Sequence, residues 1–504
     1  MQKTPVASFR SACVDFTMSP WFPRLLILIG CLLRVYPCLS HRSLWLDEAY
    51  LALNILRRDY GGLLATLDYN QAAPIGFLFL TKGVTGLLGM NEFALRLVPL
   101  IFGCLSLPLF FALARRHLPY RFALVALFLY AFSDQVILYA NEFKQYSSDA
   151  AIAIGLLYLT QRLHEGKISR LSAGLFLSAA SLGILLSHPA ALVLGGLGLA
   201  KLLSELKSGH PKGASAWAGL YALTGALFVG LYLSVYRANT DNDFLIRYWI
   251  HGFVPFPPLS FADLQWYAVS AFELFRYPLG FYFQGLAAFL FLVGLIGCYR
   301  RDRETFLAFA CVFALVLLAS MLKKFPLEGR VALFLAPFGV LVISRGLAYL
   351  ASLLPATPKW PLGILLGLLA LHPLYFSLEN ILWPRQVEEF RPVLSDLSLA
   401  RRPGEPIYLF SGAAPSFHFY ASEYGLNRGE SVEGSDDEHH WQDYDAVIGK
   451  LRQSDKAWFL FGHFTFDKTA VAYFRHRLDQ IGERAETFEA TGVTAFAYRF
   501  PAPK

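Results

Sequence analysis

The chain has 504 residues, 55% of them hydrophobic and only 16% charged, with a formal net charge of +7. Its mean hydropathy is +0.44. A soluble domain carries nearer 25% charge, so disorder, collagen and coiled coil are excluded and a polytopic membrane protein remains.

The charge divides along the chain. From Ile381 to Lys504 there are 14 Lys+Arg against 18 Asp+Glu, net −4, which leaves +11 for the first 380 residues. A basic membrane body (residues 1–380) and a mildly acidic soluble tail (381–504) follow, and the basic excess belongs to loops flanking spans rather than to nucleic-acid binding. Six cysteines, Cys13, Cys31, Cys38, Cys104, Cys298 and Cys311, all precede the tail, with neither disulfide-framework nor zinc spacing.

Lys3, Arg10 and Arg24 precede the apolar run Leu25–Leu39, read as an uncleaved first span with the N-terminus inside. Ten further candidates are Leu95–Ala114, Phe122–Leu138, Ala150–Leu163, Leu171–Leu186, Ala190–Leu206, Ala216–Tyr236, Gly280–Cys298, Phe306–Met321, Val331–Leu354 and Pro361–Phe376, about eleven in all. With this count Arg115, Arg116 and Arg121, Arg162, Lys167 and Arg170, Lys201, Lys207 and Lys212, Arg300, Arg301 and Arg303, and Lys359 all fall on the N-terminal side. The short segment Pro74–Met90 would invert every later loop if it crossed, so it is expected to lie at the outer interface. In the tail, Gln386–Leu397, Ser416–Tyr424 and Phe466–Leu478 have helical spacing. Pro406–Phe410, Ala457–Phe461 and Ala495–Phe500 read as strands of an α/β domain, and Gly434–His440 as a polar loop.

Five outward segments hold chemistry. Asp47 and Glu48 sit where the first span ends; neighbours on a helix point about 100° apart, so one can serve as a base while the other orients a ligand or metal. A dipole-capping acid pair is the plainer reading. Asn70 and Gln71 open the interfacial helix, as an ordinary turn would. Glu142, Lys144 and Tyr146 crowd a short loop where an outward lysine runs against the positive-inside bias. It suits a lipid phosphate, or pairing with Glu142 or with headgroups. Lys323, Lys324 and Arg330 gather three cations around a proline and a glycine, for a phosphate or for headgroups. The loop Arg237–Leu279, with Asp241, Asp243, Arg247, Trp249, His251 and Trp266, suits a sugar or lipid lid, or an aromatic belt. His188 is a lone outer histidine, and Arg34 is the main charge deep in a span. No Walker loop, GxGxxG, HExxH or GxSxG is present.

WLDEAY (from Trp45), NQAAP (from Asn70), NEFKQYS (from Asn141) and KFPLEGR (from Lys324), in this order on one expected side, resemble the GT-C membrane glycosyltransferases. The branch resembled comprises bacterial relatives of protein O-mannosyltransferases and the aminoarabinose and galacturonosyl transferases of lipid A. VEEFRPVL and GEPIYLFSGAAPSFHFY resemble their periplasmic domain. The resemblance implies an α-helical GT-C membrane domain with a C-terminal α/β domain in the bacterial cytoplasmic membrane, N-terminus cytoplasmic and tail periplasmic or extracellular. It implies inverting transfer of one sugar from a polyprenyl-phosphate donor to a glycan, lipid or protein acceptor. Asp47 matches the general base and Glu48 its partner. Lys144, Lys324 and Arg330, with Glu142 and Tyr146, match the region of the donor phosphate and sugar; Asn70, Gln71, Arg247 and His251 fall in acceptor or lid segments. Some relatives have His-Pro-Pro where this chain has Gln71-Ala72-Ala73-Pro74, so no metal site transfers, and a divalent metal stays open.

In-line displacement asks for the base and the phosphate-binding cations on opposite walls of one pocket. A lipid-linked sugar flippase would instead line the midplane with polar groups. A non-enzymatic assembly protein would leave Asp47, Lys144 and Arg330 more than ~15 Å apart.

Overall fold

The computed structural model describes residues 19–164, 169–237, 241–354, 360–434, 441–464 and 469–501. Lys3, Arg10, Cys13, Lys167, Lys359, Phe466–Lys468 and all of the Gly434–His440 loop beyond Gly434 lie outside them.

The membrane half begins with α1 (Trp21–Cys38), α2 (Leu46–Arg57), α3 (Ile75–Leu88) and α4 (Glu92–His117). It continues through α5 (Tyr120–Ala131), α6 (Asp134–Tyr139), α7 (Tyr146–His164), α8 (Arg170–Leu186), α9 (Ala190–Lys207) and α10 (Pro211–Leu231). After the outer segment with α11 (Asp243–Tyr248) and α12 (Phe261–Arg276) come α13 (Gln284–Arg301), α14 (Arg303–Met321), α15 (Ala336–Leu353) and α16 (Trp360–Leu382). Among the described residues, six helical segments are long and apolar enough to cross a membrane: Trp21–Cys38, Glu92–His117, Pro211–Tyr236, Arg303–Met321, Gly329–Leu353 and Trp360–Leu382. The other expected spans are also helical. The protein is a multi-pass membrane protein.

One expected span is interrupted. Phe122–Leu138 reads as continuous, but α5 stops at Ala131 and Ser133 starts α6, its hydroxyl accepting from the Val136 N–H. The local N-cap bond competes with helix continuation.

Contacts sort the two ends of the bundle. His117 at the end of α4 meets Gln161 of α7 (2.8 Å) and Asp302 before α14 (3.3 Å), and its carbonyl accepts from Arg345 of α15. The turns that carry Arg115, Arg116, Arg162, Arg300 and Arg301 therefore gather at one end, as the charge pattern predicts for them. Both ends of α3 lie at the other. Its leading Gln71 touches Lys144 (2.6 Å), and Glu92, just after it, meets the tail at Tyr420 (2.8 Å). α3 therefore begins and ends at the same end of the bundle. Small residues set the tightest helix contact: a Cβ on Gly294 of α13 would run into the Val342 carbonyl, and one on Gly346 of α15 into that of Leu290.

The tail runs α17 (Phe390–Ala400), β1 (Ile407–Leu409), α18 (Ala414–Tyr420), β2 (Ser431–Glu433), α19 (Trp441–Leu451), β3 (Lys456–Gly462), α20 (Thr469–Asp479), β4 (Glu483–Ala490) and β5 (Val493–Arg499). The five strands form one mixed sheet, β2-β1-β3-β5-β4, with β1 parallel to β2 and β3, and β5 antiparallel to β3 and β4. β1, β3 and β5 fall where apolar runs predict strands, because central strands are buried on both faces. β4, sequence ERAETFEA, is an exposed edge whose charges mask it.

The expected helix Gln386–Leu397 begins only at Phe390. The preceding extended residues dock the tail on the membrane half. Glu388 accepts from the Leu46 N–H (3.0 Å), Glu389 from the Ser43 hydroxyl (3.2 Å), and Arg391 grips Glu92 (2.5 Å). The Tyr420 hydroxyl accepts from the Leu44 N–H at 2.8 Å. One continuous apolar core runs from α2 and α3 into the sheet.

Candidate active site

Among the described residues, the largest carboxylate–cation cluster of the membrane half lies at the end opposite the basic turns, where α2, the loop before α7 and the turn before α15 converge. Asp47, in the first turn of α2, lies 2.9 Å from Lys144 Nζ at Oδ1 and 2.7 Å from Arg330 Nη1 at Oδ2. Lys144 also donates to Gln71 Oε1 (2.6 Å), and Arg330 Nη1 stands 3.8 Å from Glu142. The guanidinium of Arg330 is caged by the rings of Trp45 (5.6 Å), Tyr146 (5.6 Å) and Trp249 (5.9 Å). A cavity of about 930 Å³ opens beside this cluster. Its walls include Trp45, Tyr139, Glu142, Trp249, His251, Tyr277 and Arg330, with Arg385, Val387 and His463 from the tail side. That volume suits a glycosyl phosphate or a comparable amphiphile.

Burial by itself would raise the Asp47 carboxyl, but the charges of Lys144 and Arg330 overcome it and hold the group at about 2. Glu142 goes the other way: burial raises it to about 7, with Arg330 offsetting in part and the Glu48 charge adding to the rise. Burial pulls the Lys144 ammonium down, against the attraction of Asp47. The cluster therefore holds one firmly ionised carboxylate, Asp47, and one that changes charge near neutrality, Glu142, which lines the cavity.

Glu48 has a different place from the one its position beside Asp47 suggests. It is fully buried, takes Arg96 Nε (2.8 Å) and Nη2 (2.6 Å), and accepts the Phe143 N–H at 2.7 Å. Arg96 in turn donates to the carbonyls of Arg42 (2.8 Å) and Ser43 (3.1 Å). This pair ties α2, α4 and the Lys144 loop together, so Glu48 positions the site and does not face the cavity. The expected opposite walls are also corrected: Asp47 and its two cations touch. Lys144 pairs with Asp47, not with Glu142. Lys324 stands outside the cluster, half exposed and paired with Asp241 (2.6 Å). Asn70 accepts from Asn242 (2.8 Å), tying two outer loops together. Arg247 is exposed on α11, while His251 lines the cavity.

Arg34 does no site chemistry; it donates to the Gly30 (2.7 Å) and Ala131 (3.0 Å) carbonyls between α1 and α5. Reading by sequence missed Arg96, Arg42 and His463, and gave Glu388, inside VEEFRPVL, no role of its own. For Arg96 a signal existed, a cation one turn into an apolar run; the others sit in unremarkable polar stretches. Among the described residues no group of three or more His, Cys, Asp and Glu stands ready for a metal ion. Both Asp47 oxygens face cations, so a divalent ion there would have to displace Lys144 or Arg330.

Residues 72–232 match the family model of dolichyl-phosphate-mannose-protein mannosyltransferase. No curated protein matches the chain by sequence. The fold is similar to that of ArnT from Cupriavidus metallidurans bound to undecaprenyl phosphate, with a TM-score of 0.54 at 14% identity over 94% of this chain and 97% of that one. The apo form of the same protein gives a TM-score of 0.55 at 14% identity over the same shares, 94% and 97%. The Archaeoglobus fulgidus oligosaccharyltransferase in complex with Zn and sulfate gives 0.54 at 14% identity over 95% of this chain and 73% of that one.

Proposed function

The chain has the fold of the GT-C membrane glycosyltransferases, and from that premise we infer that it transfers a single sugar, with inversion, from a polyprenyl-phosphate carrier to a hydroxyl acceptor outside the cytoplasmic membrane. The acceptor is a glycan, a lipid or a protein. The membrane is the bacterial inner membrane, with the N-terminus cytoplasmic and the tail on the outer side. The observation that carries this reading is the meeting of Lys144 and Arg330 on Asp47, each within 3 Å of it, with Arg330 itself lining a large cavity.

The acceptor oxygen attacks the anomeric carbon as the bond from that carbon to the phosphate oxygen breaks. The bonding pair leaves with the lipid phosphate, and the hydroxyl proton passes to Asp47. Lys144 and Arg330 absorb the charge that develops on the phosphate. Paired with Lys144 and Arg330, Asp47 is held at about 2 and is a poor base. An arriving phosphate shares the same cations and loosens their hold, so that Asp47 becomes more basic only once the donor is seated. In-line attack then requires the cations to follow the phosphate away from Asp47 as the donor seats.

The deciding experiment incubates the full-length protein in proteoliposomes with polyprenyl-phosphate sugars and an envelope extract. Mass spectrometry should find a product heavier by one glycosyl unit. Movement of labelled donor across the bilayer without a new glycosidic bond would instead make the protein a flippase.

Glu142 supplies a pH test. Arg330, Arg42, Asp47 and Glu48 surround it. Below its value of about 7 it is neutral; above, its added negative charge beside Arg330 competes with a bound phosphate. Undecaprenyl phosphate is expected to lose roughly tenfold more affinity between pH ~6 and ~8 in the wild type than in Glu142→Gln, a step worth about one partly screened charge contact. Parallel titration curves for the two proteins would refute it.

A further inference from the structure

Two arginines in the chamber wall take no part in the reaction above. Arg42, in the loop between α1 and α2, is 8% exposed and lines the cavity. Its Nη2 donates to the Asn141 carbonyl (2.6 Å), its Nη1 reaches only the Arg385 carbonyl (3.4 Å), and its Nε has no partner. Among the described residues no carboxylate stands within ion-pair distance of it. Glu48 and Glu142 are the acids whose charge it feels, but Glu48 is held by Arg96 at 2.6 Å and Glu142 stands by Arg330. Arg385, on the chain between α16 and α17, is exposed and lines the same cavity, and among the described residues its side chain has no hydrogen bond or ion pair. The charges of Arg96 and Arg385 both bear on Arg42, so like charges crowd this part of the wall. Tyr277, another lining residue, feels Arg330 and Arg385 alike, which sets both cations on one chamber.

A buried guanidinium without an anion in contact is costly, and a second cation beside it adds to the cost. An oxyanion drawn from the cavity removes both costs. Two planar forks at one wall suit the oxygens of a phosphate or a carboxylate, and Arg42 Nη1 then exchanges a long contact for a charge-assisted one. In the reading above the single phosphate of the donor goes to Lys144 and Arg330, so this second anion comes with the acceptor. An acid group on the donor sugar is the other source of the same chemistry, and the test below separates the two.

We propose that Arg42 and Arg385 form a second oxyanion subsite of the chamber, which grips a phosphate or carboxylate carried by the acceptor and so selects acidic acceptors. The proposal rests on the transferase reading and deepens it by naming the acceptor class. Arg42 is the buried half of the subsite, fixed by Asn141 next to Glu142, and Arg385 is the exposed half, supplied by the segment that leads into the tail.

The test uses the full-length protein in proteoliposomes, with polyprenyl-phosphate sugars as donor and an envelope extract split by anion exchange into acidic and neutral fractions. The wild type is expected to transfer about tenfold more sugar into the acidic fraction than into the neutral one. Arg385→Gln should raise the amount of acidic fraction giving half-maximal transfer about tenfold, a step the size of one charge-assisted contact, while undecaprenyl phosphate binding changes less than twofold. Arg42→Lys, which keeps the charge and loses the fork, should shift the same parameter in the same direction. An equal loss of undecaprenyl phosphate binding in these variants would make the pair part of the donor phosphate site and overturn the proposal. A preference for uronic acid over neutral hexose donors that Arg385→Gln abolishes, with acceptor dependence unchanged, would assign the anion to the donor sugar and overturn it as well. In the wild type, modification of Arg385 by phenylglyoxal, read by peptide mass spectrometry, should slow with the acidic fraction and not with undecaprenyl phosphate. This second measurement stands even if the variants fail to fold. If the wild type transfers sugar to acidic and neutral fractions alike and neither fraction protects Arg385, this inference falls and the transferase reading survives. If the wild type transfers nothing, the transferase reading falls.

Discussion

Asp47→Asn is expected to leave a folded protein whose transfer rate is lower by about 10²–10⁴-fold, the usual worth of a positioned general base. Asparagine keeps the shape of the side chain and can still accept from Lys144, but it can neither take the acceptor proton nor neutralise two cations. The same variant should bind undecaprenyl phosphate more tightly than the wild type. Lys144 and Arg330 lie 2.9 Å and 2.7 Å from the carboxylate, so the phosphate no longer competes with a resident anion for them. Loss of transfer with gain of phosphate affinity is a combination that general misfolding does not produce. Full transfer by Asp47→Asn would remove Asp47 from the chemistry, and weaker phosphate binding would remove the competition on which its gating depends.

Arg96→Leu should destabilise the protein by about 3–5 kcal/mol, the cost of leaving a buried charge without its partner. Glu48 and Arg96 are both essentially inaccessible, with side-chain exposures of 0% and 1% and a separation of 2.6 Å. Burial would raise the Glu48 carboxyl, and the charge of Arg96 holds it below its ordinary value instead. Without Arg96, Glu48 must take up a proton or remain as an unpaired ion. The Arg42 and Ser43 carbonyls lose their donors as well. Replacing both members by leucine should recover part of the loss, since an apolar pair of similar volume removes the uncompensated charge. Thermal unfolding in one detergent, followed for both single variants and the double variant, measures the coupling. A single-variant loss under about 1 kcal/mol, the size of a surface pair, would show that the site is not assembled through this bridge.

These two neighbours show where reading the chain stops. Asp47 and Glu48 are the same kind of group one position apart, and their order cannot say which joins the Lys144–Arg330 cluster and which the Arg96 pair. The partners that decide it, Lys144, Arg330 and Arg96, are supplied from other parts of the chain. The same holds for Lys324 and Arg330 in one short turn: one pairs outward with Asp241, the other inward with Asp47. His463 left no trace, and Glu388 stood inside VEEFRPVL without a role, because a histidine after a strand and an acid before a helix are common in any soluble domain.

The alternation of apolar runs with one-sided basic turns determined by itself that the chain is a multi-pass membrane protein with a soluble tail, and it singled out Pro74–Met90 as a helix that does not fit the series of spans. It could do so because transfer of a side chain between water and lipid depends on composition over some twenty residues, which is a local property. The roles of individual charges were decided only by tertiary structure. Whether a buried carboxylate is a base, a clamp or a proton reservoir depends on which cation stands within 3–4 Å, and that distance is set by contacts between segments remote in sequence.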